Sequence, residues 1–445
     1  MRQKVYLDPI HGSMRLEERE YELLELPEFQ RLRYIKQTGL GFLVYPGAVH
    51  TIFDHVLGSL CLAKKHIRRF EIDGEEKEKK VLFVSILLRD VGSEPLRHVF
   101  WDVRDRIPKE KQLPIHESVR IVEQSKKIGT ILSSMGLKVD EICKILQEPS
   151  KDRGAVIKWF HKLQPLVDGP LSFNRLDYYL RDAYYAGIKG IGFDPSEIFN
   201  NATFHKEKGL VYKEEAIPSI ENVLLLRVNL YSKLYSNPEA IKGQKMLARV
   251  MERFIGDDYD KFYAFRRETI EQFQSDDEFI HRLREKIKND EVAQRIVQLI
   301  ETGQLYGTLD HIYRWPKLPD ETKRRLEWYI DHPIDWKNHE REVNSKLSAE
   351  FGQIIVDFDK PTIEGLVKNI FVSKDGDLER IDKASPLIGS LEEDKGDRYG
   401  ITELEKRNWF LGVYYDRDKI RQLGIDEDGV KKQVENVFDI RLSER

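Results

Sequence analysis

Two stretches of this sequence gather side chains able to do chemistry. In Ser172-Phe173-Asn174-Arg175-Leu176-Asp177-Tyr178-Tyr179-Leu180-Arg181-Asp182, the residues Asn174, Asp177, Tyr178, Arg181 and Asp182 recur at three- and four-residue spacings. That spacing places them on one face of a helix. Charged and hydrogen-bonding groups concentrated there without Lys/Glu alternation describe a site rather than a solvated face. In the second stretch, Leu87-Leu88-Arg89-Asp90-Val91-Gly92, an apolar run stops at a charged pair and then a glycine. Polar groups at the end of a buried helix project into whatever cavity lies there. A third signal is Arg227, alone among Leu224, Leu225, Leu226 and Leu230. An arginine in so apolar a run must find an anionic partner or reach solvent. Gly-rich phosphate loops, zinc-finger cysteine spacings, nucleophile elbows and internal repeats are not found.

The elements that must position these groups are mostly helical. Residues 4–12 read as an extended segment and a turn, Asp8-Pro9-Ile10-His11-Gly12. Leu23, Leu24, Leu26, Phe29, Leu32 and Ile35 then keep a helical period, with Arg31, Arg33 and Lys36 on a basic outer face. Tyr45-Pro46-Gly47-Ala48 is loop, and Thr51 or Asp54 caps a helix with His55 in its first turn. A charged run, 71–80, separates it from Val81 to Leu88, a helix apolar almost all round and therefore central. Two helical patterns lie between 114 and 146 and another at 155–166, while Gly187, Gly190 and Gly192 close the helix that carries Asp182. Leu210-Val211-Tyr212 is a short strand, 216–235 a long helix, and helices continue to about 300 before a loop-rich stretch with Pro316, Pro319 and Pro333. Gln353 to Phe358 and Phe410 to Tyr415 are strand-like, with turns at 375–377 and 394–396.

A chain of 445 residues accommodates two domains or one large helical domain with appendages. Its 73 Lys+Arg balance 77 Asp+Glu, and the net charge of −4 exerts no global pull toward nucleic acid or membrane. The local cluster Lys64, Lys65, Arg68 and Arg69, with Arg31 and Arg33, reads as a solvated helix surface, so nucleic acid is not an expected partner. Cys61 and Cys143, both in apolar helical contexts, are expected as reduced core residues. With no apolar leader at the N-terminus and no run of the length a membrane span needs, a cytoplasmic protein with no membrane partner is expected.

Four motifs occur in order: Asp8-Pro9-Ile10-His11-Gly12, Phe29 to Gln37 (Phe-Gln-Arg-Leu-Arg-Tyr-Ile-Lys-Gln), Pro46 to His55 (Pro-Gly-Ala-Val-His-Thr-Ile-Phe-Asp-His), and Asn174-Arg175-Leu176-Asp177-Tyr178 continuing to Arg181-Asp182. Together they resemble the HD-domain superfamily, in its deoxynucleoside triphosphate triphosphohydrolase branch. The resemblance spans roughly residues 4–250 and, more loosely, the rest. It implies a mainly α fold: an HD-domain helical core within 1–345, with its motifs at about 45–190, and a smaller α+β lobe over 346–445. In that family a first His, a His-Asp pair and a later Asp bind a divalent metal (Mn, Fe, Mg or Zn) that lowers the pKa of bound water and neutralises phosphate charge.

Carried over by position, the resemblance makes His55 the first metal ligand and Asp90 the carboxylate of the pair. Arg89 stands where the family has the paired histidine, and Asn174 where it has the last aspartate. Ile52 replaces a phosphate-contacting arginine, and Ser93 a catalytic histidine, while the later histidine is retained as His98. Nucleotide-pocket positions are matched by Gln37, Tyr178, Asp182 and Arg227, and a basic phosphate-binding position by Arg175. Of a regulatory guanine-nucleotide site, Gln30 and Arg33 match and Glu25 replaces an aspartate. Arg89 is donor-only and cannot ligate a metal, and Asn174 offers a neutral carbonyl in place of an anion. Two ligands are too few for a tight site. The expectation is therefore a pocket for a dNTP or GTP-like nucleotide with lost or weak metal-dependent hydrolysis, serving in a regulatory or structural role. The competing reading is an active phosphohydrolase, on dNTPs or another phosphoester, in which His98, His116 or Glu117 joins His55 and Asp90. By resemblance the chain forms a dimer or tetramer and has room for a protein partner.

Overall fold

The computed structural model describes residues 4–70, 76–112, 117–147, 160–205, 208–272, 275–309, 312–359, 367, 369–374, 377–389 and 408–442. It is mainly α, with small sheets. A hairpin of β1 (Lys4–Asp8) and β2 (Gly12–Leu16) leads into α1 (Ile52–His66), α2 (Glu76–Leu88), α3 (His98–Asp105) and α4 (Phe173–Tyr185). Thr51 starts α1 with a reciprocal cap: its hydroxyl accepts from the Asp54 N–H at 3.3 Å, and the Asp54 carboxylate accepts from the Thr51 N–H at 2.8 Å. This fixes His55 in the first turn, its ring buried. In α2, Val81, Leu82, Val84, Ile86, Leu87 and Leu88 have no exposed surface, each burial contributing about 1.5–3 kcal/mol. The helix ends at Leu88, so Arg89 and Asp90 open the following turn. Ser172 caps α4 by accepting from the Arg175 N–H at 3.2 Å, and Gly187, at φ +67°, turns the chain at its far end.

Helices α1 and α4 cross at Gly58. A Cβ there would lie 2.0 Å from Asp177 Oδ1 and from Arg181 Nη2, groups pinned in an ion pair. Gly58→Ala is expected to destabilise the fold by about 1–3 kcal/mol, read as a lowered urea midpoint.

Several expectations are corrected. The helical period expected over 23–36 does not run through to Ile35: short helices Glu18–Leu24 and Pro27–Gln30 give way to a 3₁₀ turn, Arg31–Tyr34. The tighter turn rotates Arg31 inward, where it is 4% exposed and donates to the Val91 carbonyl at 3.4 Å. Burial pulls its pKa down to about 10. Arg33 lies over the Phe53 ring at 3.6 Å, and Lys64 and Lys65 bond the Arg15 and His11 carbonyls, so much of the basic cluster serves internal packing. Between 117 and 146 there are three helices rather than two, Glu117–Gln124, Lys126–Ser134 and Val139–Leu146. Ser125 caps the second, and Gly136, at φ +75°, separates it from the third. The long helix expected at 216–235 is α5 (Ile217–Leu230), continued by a π turn over Tyr231–Tyr235 and followed by α6 (Pro238–Ile255).

Among the described residues two four-stranded sheets follow. In one, β3 (Ala202–His205) pairs antiparallel with β4 (Gly209–Lys213), and its other two strands come only after β5 (Gly307–Thr308), β6 (Tyr313–Arg314) and β7 (Ile354–Asp359) of the second sheet. Beyond these come β8 (Phe371–Lys374), β9 (Asp377–Arg380) and β10 (Phe410–Tyr415). β4 pairs parallel with β8, which pairs with β9. β10 is the centre of the second sheet, antiparallel to β5, β6 and β7, with Val413 opposite Val356. Both sheets thus join strands from either side of residue 345. Residues 155–159, 375–376 and 394–396, for which a helix start and turns were expected, lie outside the described residues. Cys61 and Cys143 are free and buried. Among the described residues no helix is long and apolar enough to cross a membrane.

Candidate functional site

The polar face of α4 divides into two sets. Asp177 and Arg181 are fully buried and hold the core together. Asp177 accepts from His55 Nδ1 and from His11 Nε2, each at 2.7 Å, and from Arg181 Nε at 3.0 Å and Nη2 at 2.9 Å. Arg181 also donates to Asp8 at 2.7 Å, which ties the first hairpin to α4. Desolvation favours the neutral acid, but the charge of Arg181 and the histidine bonds outweigh it and hold the Asp177 carboxyl well below its ordinary range. Because the carboxylate takes a proton-bearing Nδ1, His55 turns its Nε2 the other way, toward Asn174 and Asp90.

Asn174, Arg175, Tyr178 and Asp182 instead line a cavity of about 500 Å³, together with Gln37, His55, Arg89 and His98. Eight of the expected site residues therefore meet in one space. The opposite wall comes from α3, α6 and β7, where Lys245 pairs with Asp102 at 3.0 Å and Asp357 at 3.1 Å. Asp182 accepts from His50 at 2.6 Å and from the Tyr235 hydroxyl. Gln37, 5% exposed, presents an Oε1 with no hydrogen-bond partner.

At the centre, Arg89 is held by three acceptors. Nη1 donates to Asp90 Oδ1 at 3.1 Å, and Nη2 to Asp168 Oδ1 at 2.8 Å. The Asn174 amide, oriented by its hydrogen-bond network, accepts from Arg89 Nε at 2.6 Å and Nη1 at 2.9 Å while donating to Ser59 Oγ at 3.0 Å and His55 Nε2 at 3.2 Å. Desolvation of Arg89 is outweighed by Asp168 and Asp90, so the guanidinium stays charged. Desolvation of Asp90 is likewise outweighed by Arg89 and then Arg97, and its carboxyl lies below the usual range. His55 Nε2 and Asp90 Oδ2 are 3.8 Å apart. The expected metal positions His55, Asp90 and Asn174 thus converge with a guanidinium bonded among them. Among the described residues no three His, Cys, Asp or Glu side chains are placed to hold a metal ion.

Other expected residues fall elsewhere. Asp90 and Ser93 line a smaller cavity, about 240 Å³, which also reaches Asp168 and Glu117. Glu117 is engaged by Arg120 at 2.6 Å and Arg266 at 3.1 Å, and His116 lies outside the described residues. Ile52 is buried in the apolar core. Arg227 is buried beside the cavity rather than lining it: it donates to the Tyr179 hydroxyl at 2.6 Å and lies 4.7 Å from the Tyr231 ring, which does line it. Gln30 bonds the Leu24 carbonyl at 2.6 Å and receives Arg33 Nε at 3.0 Å, while Glu25 lies 3.9 Å from Lys4; none of the three lines the cavity. His98, at the start of α3, keeps an exposed ring, and desolvation, reinforced by Arg97, shifts its pKa below the usual value.

Sequence reasoning missed Asp168, Arg97, Asp102, Lys245 and Asp359. The only local signals were that Asp168 ends a helix shortly before Asn174 and that Arg97 precedes His98. Burial raises the Asp359 carboxyl to about 6, with Lys245 opposing. A folded value above the unfolded one means that ionised Asp359 opposes folding above pH 6, and that this penalty disappears as pH falls below the unfolded value. Asp359→Asn is expected to raise stability by on the order of 1 kcal/mol at about pH 8 and to match the wild type near about pH 4, in paired urea titrations.

A family model described as HD associated region matches residues 193–445. An uncharacterized protein of Methanocaldococcus jannaschii is 27% identical over 444 residues, covering 98% of this chain and 84% of that one. One of Mycoplasma genitalium is 32% identical over 278 residues, 60% of this chain and 64% of that one. The deoxynucleoside triphosphate triphosphohydrolase SAMHD1 of Bos taurus is 26% identical over 398 residues, 80% of this chain and 66% of that one. For several of these curated relatives the match spans less than two thirds of their own length. A solved phosphohydrolase from Bacteroides thetaiotaomicron shares the fold, with TM-score 0.67 and 21% identity over 94% of this chain and 100% of that one.

Proposed function

The chain belongs to the HD-associated-region family, and on that premise we propose that it binds a nucleotide, a dNTP or GTP-like molecule, at a centre where Arg89 stands in for the family's divalent metal. The observation that carries this reading is the bonding of Arg89 to Asp90, Asp168 and Asn174. A hydrolytic metal needs several lone-pair donors and an open position for water. The donor set does not fit one: Arg89 has no lone pair to give, Asn174 turns its carbonyl to Arg89, and only His55 Nε2 and Asp90 remain. Metal-dependent hydrolysis is accordingly lost or weak.

The cavity volume, about 500 Å³, is in the range of small-molecule sites. Arg175 and Arg89 offer charge to phosphate, and Tyr178, Gln37 and Asp182 offer polar contacts to sugar and base. The name of the bovine relative, a deoxynucleoside triphosphate triphosphohydrolase, favours dNTPs within this class. The rearranged-site alternative is less well supported, because Glu117 is already committed to Arg120 and Arg266. We further propose that the protein is cytoplasmic and forms a homo-oligomer, dimer or tetramer. Equilibrium titration of each dNTP and GTP in excess chelator tests the reading: saturable binding unaffected by chelator is expected, and no binding of any nucleotide with or without added metal would overturn it.

A further inference from the structure

We propose that Arg97 completes, with Arg89, a metal-independent subsite for the phosphoryl end of the ligand, and that the form bound is the free polyphosphate rather than its magnesium complex. The inference rests on the nucleotide-binding reading and adds which residue replaces the missing charge and which ionic form is selected.

Leu96 and Arg97 both have positive φ, 52° and 36°, a region unfavourable to residues bearing a Cβ. The strained pair is held from outside: the Leu96 N–H donates at 2.7 Å to Asp276, a buried carboxylate that also accepts from the Lys36 N–H at 2.9 Å. The backbone here directs the Arg97 side chain back to the centre. Its Nη2 lies 3.8 Å from Asp90 Oδ1, the oxygen that Arg89 Nη1 reaches at 3.1 Å. Asp90 is the one carboxylate within ion-pairing distance of Arg97 among the described residues. Arg97 Nη1 is inaccessible to solvent and has no hydrogen-bond partner.

Arg89, Arg97 and Trp101 each line both the larger and the smaller cavity, so the two guanidiniums lie, with the indole, in the partition between them. Arg175, whose Nε is also without a partner, lines the larger cavity. Arg89 is paired with Asp90 and Asp168 and Arg97 with Asp90, and Asp102, Asp105, Asp182 and Asp359 also line the larger cavity, so what the place offers a ligand is guanidinium N–H groups still without acceptors, Arg97 Nη1 and Arg175 Nε. Planar guanidiniums bind phosphate oxygens through paired hydrogen bonds and need no lone-pair ligand from the protein. Two of them supply the charge that a divalent ion would bring. A chelated cation arriving with the polyphosphate would instead bring like charge against both arginines.

The test is calorimetric titration of the full chain with inorganic tripolyphosphate, first in EDTA and then in excess Mg²⁺, with deoxyguanosine as the phosphate-free probe. In EDTA, tripolyphosphate is expected to bind the wild type and to bind Arg97→Gln and Arg97→Gly at least about 10-fold more weakly, with Arg97→Lys between. Excess Mg²⁺ is expected to weaken binding, and deoxyguanosine affinity is expected to be the same in all four proteins. Because glycine is at ease at positive φ, Arg97→Gly should unfold no earlier than the wild type, which separates lost affinity from lost structure. Unchanged tripolyphosphate affinity in Arg97→Gln and Arg97→Gly, or a requirement for Mg²⁺, overturns the Arg97 subsite while normal deoxyguanosine and dNTP binding leaves the nucleotide reading standing. Failure of tripolyphosphate, deoxyguanosine and dNTPs alike to bind overturns both.

Discussion

Replacing Asp177 by alanine is expected to destabilise the protein by about 3–5 kcal/mol, more than any substitution in the cavity wall. The carboxylate has no exposed surface and accepts from three side chains, His11, His55 and Arg181. Its removal leaves Arg181, also without exposed surface, with Asp8 as its remaining carboxylate. The variant therefore keeps a buried charge and two imidazoles without their acceptor. The pH dependence has a definite sign. Desolvation is overcome by Arg181 and the carboxyl is depressed in the folded state, so its contribution is present above the unfolded value and is lost as pH falls through the folded one. Urea denaturation of wild type and Asp177→Ala across pH measures this. A loss under about 1 kcal/mol at neutral pH would refute the network as the core of the fold.

The second large effect is a gain. Arg89→His combined with Asn174→Asp is expected to bind about one Mn²⁺ per chain, as a four-ligand site should. The double variant restores an imidazole and a carboxylate beside His55 Nε2 and Asp90, which already lie 3.8 Å apart. His55 is also held as metal-ligating histidines commonly are, its Nδ1 bonded to a carboxylate at 2.7 Å. Neither single variant should suffice. Arg89→His alone still leaves a neutral amide, and Asn174→Asp alone adds a carboxylate that Arg89 would bind. Hydrolysis by the double variant should stay slow, because Ile52 is buried in the core and Ser93 faces the smaller cavity. Metal titration followed by electron paramagnetic resonance gives the stoichiometry. A double variant that binds Mn²⁺ no better than the wild type would show that the surrounding scaffold no longer supports a metal.

What the sequence made legible was local. Thr51 and Asp54 announced α1, the apolar run to Leu88 announced α2, and the spacing from Asn174 to Asp182 announced a helix with one polar face. Position-by-position resemblance then brought Gln37, His55, Arg89, His98, Asn174, Arg175, Tyr178 and Asp182 to one cavity. What stayed hidden depended on partners distant in the chain. Arg89 finds Asp168 across 79 residues and Lys245 finds Asp102 across 143, and no periodicity encodes either. Arg31 looked solvated because a helical period was extended through a 3₁₀ turn that rotates it inward. The face of α4 looked like a single site, yet its partners divide it: Asp177 and Arg181 hold α1 and the first hairpin, while Asn174, Tyr178 and Asp182 meet the cavity.

The proposed substitution of a guanidinium for a metal makes one demand on the native protein. Elemental analysis of the purified chain, paired with chromatographic assay of triphosphate, pyrophosphate and phosphate release from each dNTP, should find no stoichiometric Mn, Fe, Mg or Zn and no triphosphate above background, while the same preparation binds dNTPs in chelator. Stoichiometric metal together with triphosphate release would contradict it.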